Sequence, residues 1–227
     1  MICAAIQAKG ATEFLDHVNL VKDKASLAEV RLDFFKDPYS VDFEELVQAS
    51  PVPLIFTNRR HNEGGNIQQE EEKRLSLLKQ AVNAGAEYID VEFGSDKSLR
   101  NELLAYANER SCKVIVSWHD FQKTPTYKDL VKMLKEMGEC SAHIIKMVTT
   151  ALNQSDVKRL LSLYCLALVP KLKLLAFCMG DIGKISRVAC LALGAPFSFA
   201  SCTEKGATAP GQLTVQELFD ILRVLDY

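Results

Sequence analysis

The sequence has no block of like charge and no apolar run of membrane length. Its 27 basic and 29 acidic side chains leave a net charge of -2, so no basic patch indicates a nucleic-acid partner. The first ten residues, MICAAIQAKG, lack the basic start and long apolar core of a secretory signal. The longest apolar region is broken at Pro170 and Lys171, so neither side of the break can span a bilayer. These features predict a cytoplasmic protein that binds neither nucleic acid nor membrane.

Motifs for metals, disulfides and dinucleotides are also lacking. The seven cysteines include no CxxC pair, which predicts reduced thiols rather than a disulfide framework. There is no HExxH segment and no cluster of metal ligands. No glycine-rich fingerprint follows the first strand-like run, which argues against a dinucleotide site. The sequence therefore predicts no metal site.

The sequence does contain a regular alternation of short apolar runs and longer amphipathic segments. Residues 68–85 are the clearest helical segment, with Leu75, Leu78 and Val82 on one face and Gly85 as a stop. The strand–helix unit repeats about eight times, which is the count of a (β/α)8 TIM barrel. No proline- or glycine-rich linker divides the chain, so we expect a single barrel domain over residues 1–227. A doubly wound open sheet is the alternative.

Several predicted strands carry charges on one face only. In EVRLDFF, the residues Glu29, Arg31 and Asp33 alternate with apolar ones. Three other strands show the same pattern with Thr57 and Arg59, Asp90 and Glu92, and Ser117 and His119. Polar residues facing water on an exposed sheet would also alternate in this way. Within a repeated β/α pattern the helix-facing side must be apolar, so the charges should point into the barrel.

Lys146 stands inside the apolar strand AHIIKMVTT. With Glu29, Arg31, Arg59 and His119, it should reach a pocket at the carboxyl ends of the strands, where barrel enzymes place their active sites. Burial near other cations favours the neutral amine, which is a nucleophile toward a carbonyl group and forms a Schiff base. The alternative is a structural ion pair with Glu29, Asp90 or Glu92.

Other candidate residues lie in loops and at strand ends. His119 is a candidate proton-transfer group, and Glu63 could orient its ring. Arg187, after the seventh strand, could bind a carboxylate through two hydrogen bonds. Thr208 and Gln212 lie in an irregular segment after the eighth strand that could cover the barrel mouth. Each has a simpler alternative, such as a solvated loop carboxylate for Glu63, a surface arginine for Arg187 and a plain connector for the last segment.

The ordered motifs EVRLD, FTNRRHNEGG, YIDVE, SWHDFQKTP, IIKM, MGDIGKISR and TAPGQ resemble those of type I 3-dehydroquinate dehydratase. The resemblance extends over nearly the whole chain. It implies a (β/α)8 barrel that removes water from 3-dehydroquinate in the shikimate pathway through a Schiff base, with no cofactor. It also implies a possible homodimer and, in some organisms, fusion to shikimate dehydrogenase.

The resemblance assigns roles to the candidate residues. Lys146 would form the iminium at the C3 ketone, His119 would move the C2 proton, and Glu63 would hold His119 in position. The remaining residues would bind the substrate, with Arg187, Gln212 and Thr208 at its carboxylate and Glu29, Arg31 and Arg59 at its hydroxyls. The chain departs from the family at Thr208, where serine is usual, and at Val148, where a smaller residue is usual.

Two other functions remain open at this level. A class I aldolase acting on a phosphorylated sugar would also use a Schiff-base lysine, and would bind phosphate at the last two loops. A non-catalytic barrel that binds a small acid or a protein partner would have the same fold.

Overall fold

The computed structural model describes residues 1–168 and 172–227, and for Lys205 it describes the backbone only. The predicted break at Pro170 and Lys171 lies outside the described residues. In the part that is described, no helix is both long enough and apolar enough to cross a membrane. The seven cysteines are free thiols.

Eight parallel strands form the sheet of the described residues. They are β1 (Ile2–Ile6), β2 (Leu27–Arg31), β3 (Leu54–Thr57), β4 (Tyr88–Glu92), β5 (Lys113–Asp120), β6 (Ile144–Thr150), β7 (Leu174–Met179) and β8 (Ser198–Ser201). Their hydrogen-bonded order is β7-β6-β5-β4-β3-β2-β1-β8, so β7 and β8 stand at its two ends. The rings of Phe177 and Phe199 meet across that junction, with centroids 6.4 Å apart. The sheet is a nearly closed barrel, which confirms the predicted (β/α)8 fold.

Helices follow the strands along the chain. They are α1 (Ala11–Val21), α2 (Phe43–Ala49), α3 (Glu71–Asn83), α4 (Lys97–Glu109), α5 (Tyr127–Gly138), α6 (Gln154–Leu161), α7 (Leu163–Ala167), α8 (Ser186–Ala192) and α9 (Val215–Val224). The helix predicted to stop at Gly85 is α3, and that glycine has a φ of +87°. A left-handed conformation at this position is what a glycine stop provides.

The alternation predicted for the strands is observed. Val30, Val91 and Val116 are completely buried beneath the outer helices, and the intervening polar residues face the barrel interior. Two predictions were wrong in detail. β3 ends at Thr57, so Arg59 lies in the loop that follows it. β2 ends at Arg31, and the chain then forms a short 3₁₀ turn over Leu32–Phe34. Asp33 therefore lies beyond the strand. It remains buried because its carboxylate accepts two hydrogen bonds from Arg31, at 2.8 and 2.7 Å.

The loop after β8 is fixed against the loop after β7 by two glycines. Gly211 has a φ of +70°, and a Cβ at this position would lie 2.3 Å from the carbonyl oxygen of Gly180. The amide of Gly180 donates to the carbonyl of Pro210 at 3.1 Å. Only glycine permits this approach of the two backbones. The contact places residues 208–212 over the barrel mouth.

Candidate active site

A cavity at the carboxyl ends of the strands is lined by every residue that the sequence singled out as catalytic or substrate-binding. They are Glu29, Arg31, Arg59, Glu63, His119, Lys146, Arg187, Thr208 and Gln212. These residues come from β2, β5, β6, α8 and the loops that follow β3 and β8. The barrel therefore brings together side chains that are up to 183 positions apart in the sequence. This location is the one that barrel enzymes use for catalysis.

Lys146 lies on β6 and is 5% exposed. Its Nζ donates a hydrogen bond to Oδ2 of Asp90 at 2.9 Å, while Oε1 of Glu29 lies at 4.0 Å. The ammonium also lies 4.1 Å from the centre of the Phe199 ring, a cation–π distance. Of the three carboxylates considered as ion-pair partners, Asp90 is the one in direct contact. The amine thus has an opposite charge beside it as well as the neighbouring cations expected from the sequence.

Asp90 belongs to a chain of ion pairs that crosses the barrel. Its Oδ2 lies 2.9 Å from Arg59, and Arg59 also contacts Oε1 of Glu92 at 3.0 Å. The other oxygen of Glu92 lies 2.8 Å from Arg74 of α3. Burial alone would raise the pKa of Asp90, but the charges of Arg59 and Lys146 more than offset it and hold that pKa well below its usual range. Asp90 is therefore ionised at every physiological pH.

His119 and Glu63 form a second buried pair in the cavity. Nδ1 of His119 lies 3.2 Å from Oε2 of Glu63, and the main-chain N–H of His119 donates to the same oxygen at 3.1 Å. Burial raises the pKa of Glu63 to about 7, with a further contribution from the charge of Glu92. Burial, together with the charges of Arg59 and Lys146, lowers the pKa of His119 well below its usual value. The imidazole is consequently neutral at pH 7, and the alternative of a solvated Glu63 is wrong.

Glu29 and Arg31 reach the cavity already engaged with other side chains. Oε1 of Glu29 accepts a hydrogen bond from the hydroxyl of Thr57 at 2.7 Å. Arg31 is held by Asp33 through two hydrogen bonds, and one nitrogen of its guanidinium also donates to the carbonyl of Gly64 at 3.2 Å. These contacts fix both side chains before any ligand binds.

Among the Arg and Lys side chains that line the cavity, Arg187 is the one without a carboxylate partner in the described residues. It is 1% exposed, and its guanidinium lies 4.6 Å from the centre of the Phe177 ring and donates to the carbonyl of Pro210 at 3.3 Å. Its Nε has no hydrogen-bond partner in the part of the chain that is described. Burial lowers the pKa of Arg187 to about 10, so it remains charged at neutral pH. An anionic ligand would supply the missing partner.

Thr208 and Gln212 are tied to each other at the cavity mouth. The hydroxyl of Thr208 donates to Oε1 of Gln212 at 3.1 Å, and the main-chain N–H of Thr208 donates to the same oxygen at 2.8 Å. Both side chains are half-buried. The amide nitrogen of Gln212 is left to donate toward a ligand.

The aromatic wall of the cavity was not predicted from the sequence. Phe177 and Phe199 line it beneath Arg187 and Lys146. Phe177 and Met179 stand two residues apart on β7, so the period of a strand could have placed both on the inner face. Among the described residues, no group of three or more histidine, cysteine, aspartate and glutamate side chains is placed to hold a metal ion.

Comparisons with known proteins agree with this architecture. The sequence model of the family described as Type I 3-dehydroquinase matches residues 2–227. A 3-dehydroquinate dehydratase from Thermococcus gammatolerans is 38% identical over 228 residues, which cover 100% of this chain and 99% of that protein. The crystal structure of a type I 3-dehydroquinate dehydratase from Clostridium difficile matches with a TM-score of 0.90 and 29% identity, covering 99% of this chain and 91% of that one.

A longer relative shows that the barrel also occurs as part of a fusion. A chloroplastic bifunctional 3-dehydroquinate dehydratase/shikimate dehydrogenase from Arabidopsis thaliana is 32% identical over 226 residues, which cover 97% of this chain and 36% of that protein. Both the match of the family's sequence model over residues 2–227 and the identity to full-length relatives place this chain in one family. The chain belongs to the type I 3-dehydroquinase family.

Proposed function

We propose that this protein removes water from 3-dehydroquinate to give 3-dehydroshikimate through a covalent imine on Lys146. Membership of the type I 3-dehydroquinase family supports the reaction, which is that of a hydro-lyase in the shikimate pathway. The observation that supports the residue assignment is the convergence of Lys146, His119 and Arg187 on one cavity. The similar structure from Clostridium difficile contains covalently modified comenic acid, and covalent chemistry in that relative supports the imine.

The reaction begins at Lys146. Its neutral amine adds to the C3 carbonyl, and with one proton taken up from solvent the carbonyl oxygen leaves as water to give the protonated imine. That proton returns to solvent when the product iminium is hydrolysed. His119 then takes the proton from C2, and the electron pair of that C–H bond moves toward the iminium nitrogen to form an enamine. The enamine expels the C1 hydroxyl, which leaves as water with the proton that His119 returns. Hydrolysis of the product iminium restores the amine, so the net change is the loss of one water molecule.

Glu63 sets the protonation pattern of His119. An ionised Glu63 carboxylate accepts the Nδ1–H of the ring, since its Oε2 lies 3.2 Å from that nitrogen. This hydrogen bond leaves Nε2 without a proton and therefore able to accept one from C2. The low pKa of His119 keeps the free imidazole neutral, as a base requires. Glu63 acts through His119 and is a positioning residue.

The remaining residues bind the substrate in this proposal. Arg187 pairs with the substrate carboxylate, assisted by the amide of Gln212, which the hydroxyl of Thr208 holds in place. Glu29, Arg31 and Arg59 contact the ring hydroxyls. Each guanidinium has five N–H groups, so Arg31 and Arg59 can donate to a hydroxyl while they keep their carboxylate partners.

The family match also bears on the alternatives. It extends over residues 2–227, and it favours the dehydratase over the aldolase and over a non-catalytic barrel. A homodimer and a cytoplasmic location remain family-level predictions, as does a native fusion to shikimate dehydrogenase.

Borohydride trapping tests the proposal. The protein is incubated with 3-dehydroquinate, reduced with borohydride, and digested for peptide mass spectrometry while product formation is followed in a parallel sample. We expect the added mass on the peptide that carries Lys146. A K146A variant is the matched control, and it should neither form the adduct nor turn over. An unmodified Lys146 peptide, with no dehydration in the parallel sample, would refute the proposal.

A further inference from the structure

We propose that Asp90 is the positioning residue of Lys146, and that its carboxylate remains the counter-ion of the nitrogen when the ammonium becomes an iminium. The inference rests on the proposed function, because it assigns a role within the same reaction. It concerns a residue that lies outside the lining of the cavity. Asp90 is completely buried on β4, behind the groups that a substrate would touch.

The first support is the geometry around the amine. Oδ2 of Asp90 lies 2.9 Å from Nζ of Lys146, which is a charge-assisted hydrogen bond. Glu29 is 1.1 Å more distant from the same nitrogen, and its Oε1 already accepts the hydroxyl of Thr57. Asp90 is therefore the carboxylate that fixes the position of Nζ.

The second support is that Asp90 is itself held rigidly. Its Oδ1 accepts a hydrogen bond from the hydroxyl of Ser117 at 2.6 Å, and its Oδ2 lies 2.9 Å from Arg59. Ser117 is the register partner of Lys146 on the neighbouring strand. The carboxylate thus has a fixed donor on each oxygen before Lys146 is considered. A side chain held on both oxygens can impose a position on its third partner.

The third support is the charge balance around the nitrogen. In the described part of the chain, the titratable and charged groups near Nζ come from five strands or the loops that follow them. They are Cys3, Glu29, Arg59, Asp90 and His119. Asp90 and Glu29 are the anions among them, and Arg59 is a competing cation. Loss of the Asp90 charge would leave the ammonium or iminium beside Arg59 with only the more distant Glu29. Both positively charged forms of the nitrogen would then be destabilised.

The fourth support is that Asp90 is a poor proton acceptor. Its pKa lies well below the usual range because Arg59 and Lys146 outweigh the effect of burial. The carboxylate therefore stays ionised and acts by its charge and its position rather than by exchanging protons.

The test compares two variants that each remove one buried carboxylate charge. D90N removes the carboxylate that contacts Lys146, whereas E92Q removes one that contacts Arg59 and Arg74. Amine reactivity is measured without substrate, by competitive labelling with acetic anhydride across a pH series and quantification of the Lys146 peptide. We expect the midpoint of labelling to fall by about one pH unit or more in D90N, since an opposite charge in contact shifts an ionisation by one to three units. E92Q should remain near the wild type.

Turnover supplies a second readout on the same proteins. D90N should reduce kcat by at least about tenfold, because the iminium loses its counter-ion and its formation from the amine and the ketone becomes less favourable. An unchanged labelling midpoint in D90N would overturn the inference. Equal shifts in D90N and E92Q would also overturn it, because the effect would then belong to the whole charge cluster rather than to Asp90.

The wild-type protein provides a test that needs no variant. In a crystal structure of the borohydride-reduced adduct, the secondary ammonium of Lys146 should keep Asp90 within hydrogen-bond distance. If the nitrogen has turned away from Asp90, the inference is wrong even if D90N fails to fold. Failure of the proposed function looks different, because the wild type would then give no adduct while the substrate-free labelling could still show the expected shift.

Discussion

Glu63 holds His119 through a single carboxylate oxygen, which lies 3.2 Å from Nδ1 of the ring and accepts the main-chain N–H at 3.1 Å. Both side chains lie in the wall of the cavity, the imidazole 8% and the Glu63 side chain 9% exposed. Their pKa values are shifted in opposite directions, since burial raises the pKa of Glu63 and lowers that of His119. The protonation state of this pair should therefore control the base in the reaction.

The pH dependence of kcat/KM should follow Glu63. Below a pH of about 7 the carboxyl is protonated, and it then donates to Nδ1 and leaves the proton of the neutral ring on Nε2. That tautomer cannot accept the C2 proton, so activity should rise as pH increases through about 7. In E63Q this rise should disappear and kcat should fall by about tenfold or more. Initial rates across a pH series measure both effects, and an unchanged rise in E63Q would assign it to another group.

Removal of the imidazole should separate imine formation from elimination. H119A keeps Lys146 and its Asp90 partner, so borohydride should still trap an adduct on Lys146. Turnover should fall by about 10² to 10⁴, the usual contribution of general acid–base catalysis. Trapping yield and steady-state rate are measured on the same preparation, with K146A as the variant that loses both. A loss of trapping in H119A would show that His119 is needed before the proton transfer.

Arg187 should make the enzyme prefer the substrate over an analogue that lacks its carboxylate. R187A is expected to lower kcat/KM by about a hundredfold, mainly through KM, because a charged hydrogen-bonded pair of about 1.5–3 kcal/mol is lost. The measurement compares the substrate with an analogue that lacks the carboxylate. Wild type should prefer the substrate strongly, whereas R187A should treat the two alike. If R187A keeps the full preference, the carboxylate binds elsewhere.

The hydroxyl of Thr208 should matter more than its methyl group. T208S keeps the donor to Oε1 of Gln212 and should remain close to the wild type. T208V keeps the branched shape and loses the hydroxyl, so we expect KM to rise about fivefold, which corresponds to about 1 kcal/mol for one hydrogen bond. Steady-state kinetics of the pair give the comparison. Equal KM values for T208S and T208V would remove Thr208 from the binding site.

The fold could be predicted from local patterns because a barrel repeats one simple rule. Each strand must have an apolar face toward the helices, and each helix an apolar face toward the strands. Val91 and Val116 obey that rule, and the stop at Gly85 marks the end of α3 as expected. The end of β2 could not be predicted, because the charged alternation continues through Asp33 although the strand has stopped. After Arg31 the chain enters a 3₁₀ turn, and within that turn Asp33 makes its bidentate contact with Arg31.

The residues that line the cavity could be predicted where the period of a strand or the position of a loop specifies them. The period of two placed Glu29, Lys146 and His119 on inner faces, and the structure puts all three in one cavity. The roles of these residues stay predictions until the trapping and variant experiments are done. The ionisation of Glu63 was not predictable, because it depends on how deeply its loop is buried.

By itself the sequence determined which side chains face the barrel interior, and through its ordered motifs it indicated the family. The tertiary structure alone decided which of them meet. Glu29 and Lys146 are not at the same register position of the sheet. The register partners of Glu29 on β3, β4 and β5 are Ile55, Tyr88 and Lys113 in turn. The β5 partner of Lys146 is instead Ser117, four residues beyond Lys113. Glu29 nevertheless lies 4.0 Å from Lys146.

The physical reason is the stagger of a closed barrel. Its strands tilt relative to the axis, so residues at one height are not those in register along the sheet. The same stagger gives Lys146 its contact with Asp90, although Glu92 is the β4 residue in register with Ser117. Strand period fixes the direction of a side chain, but the partner of Lys146 is set by the tilt that closes the barrel.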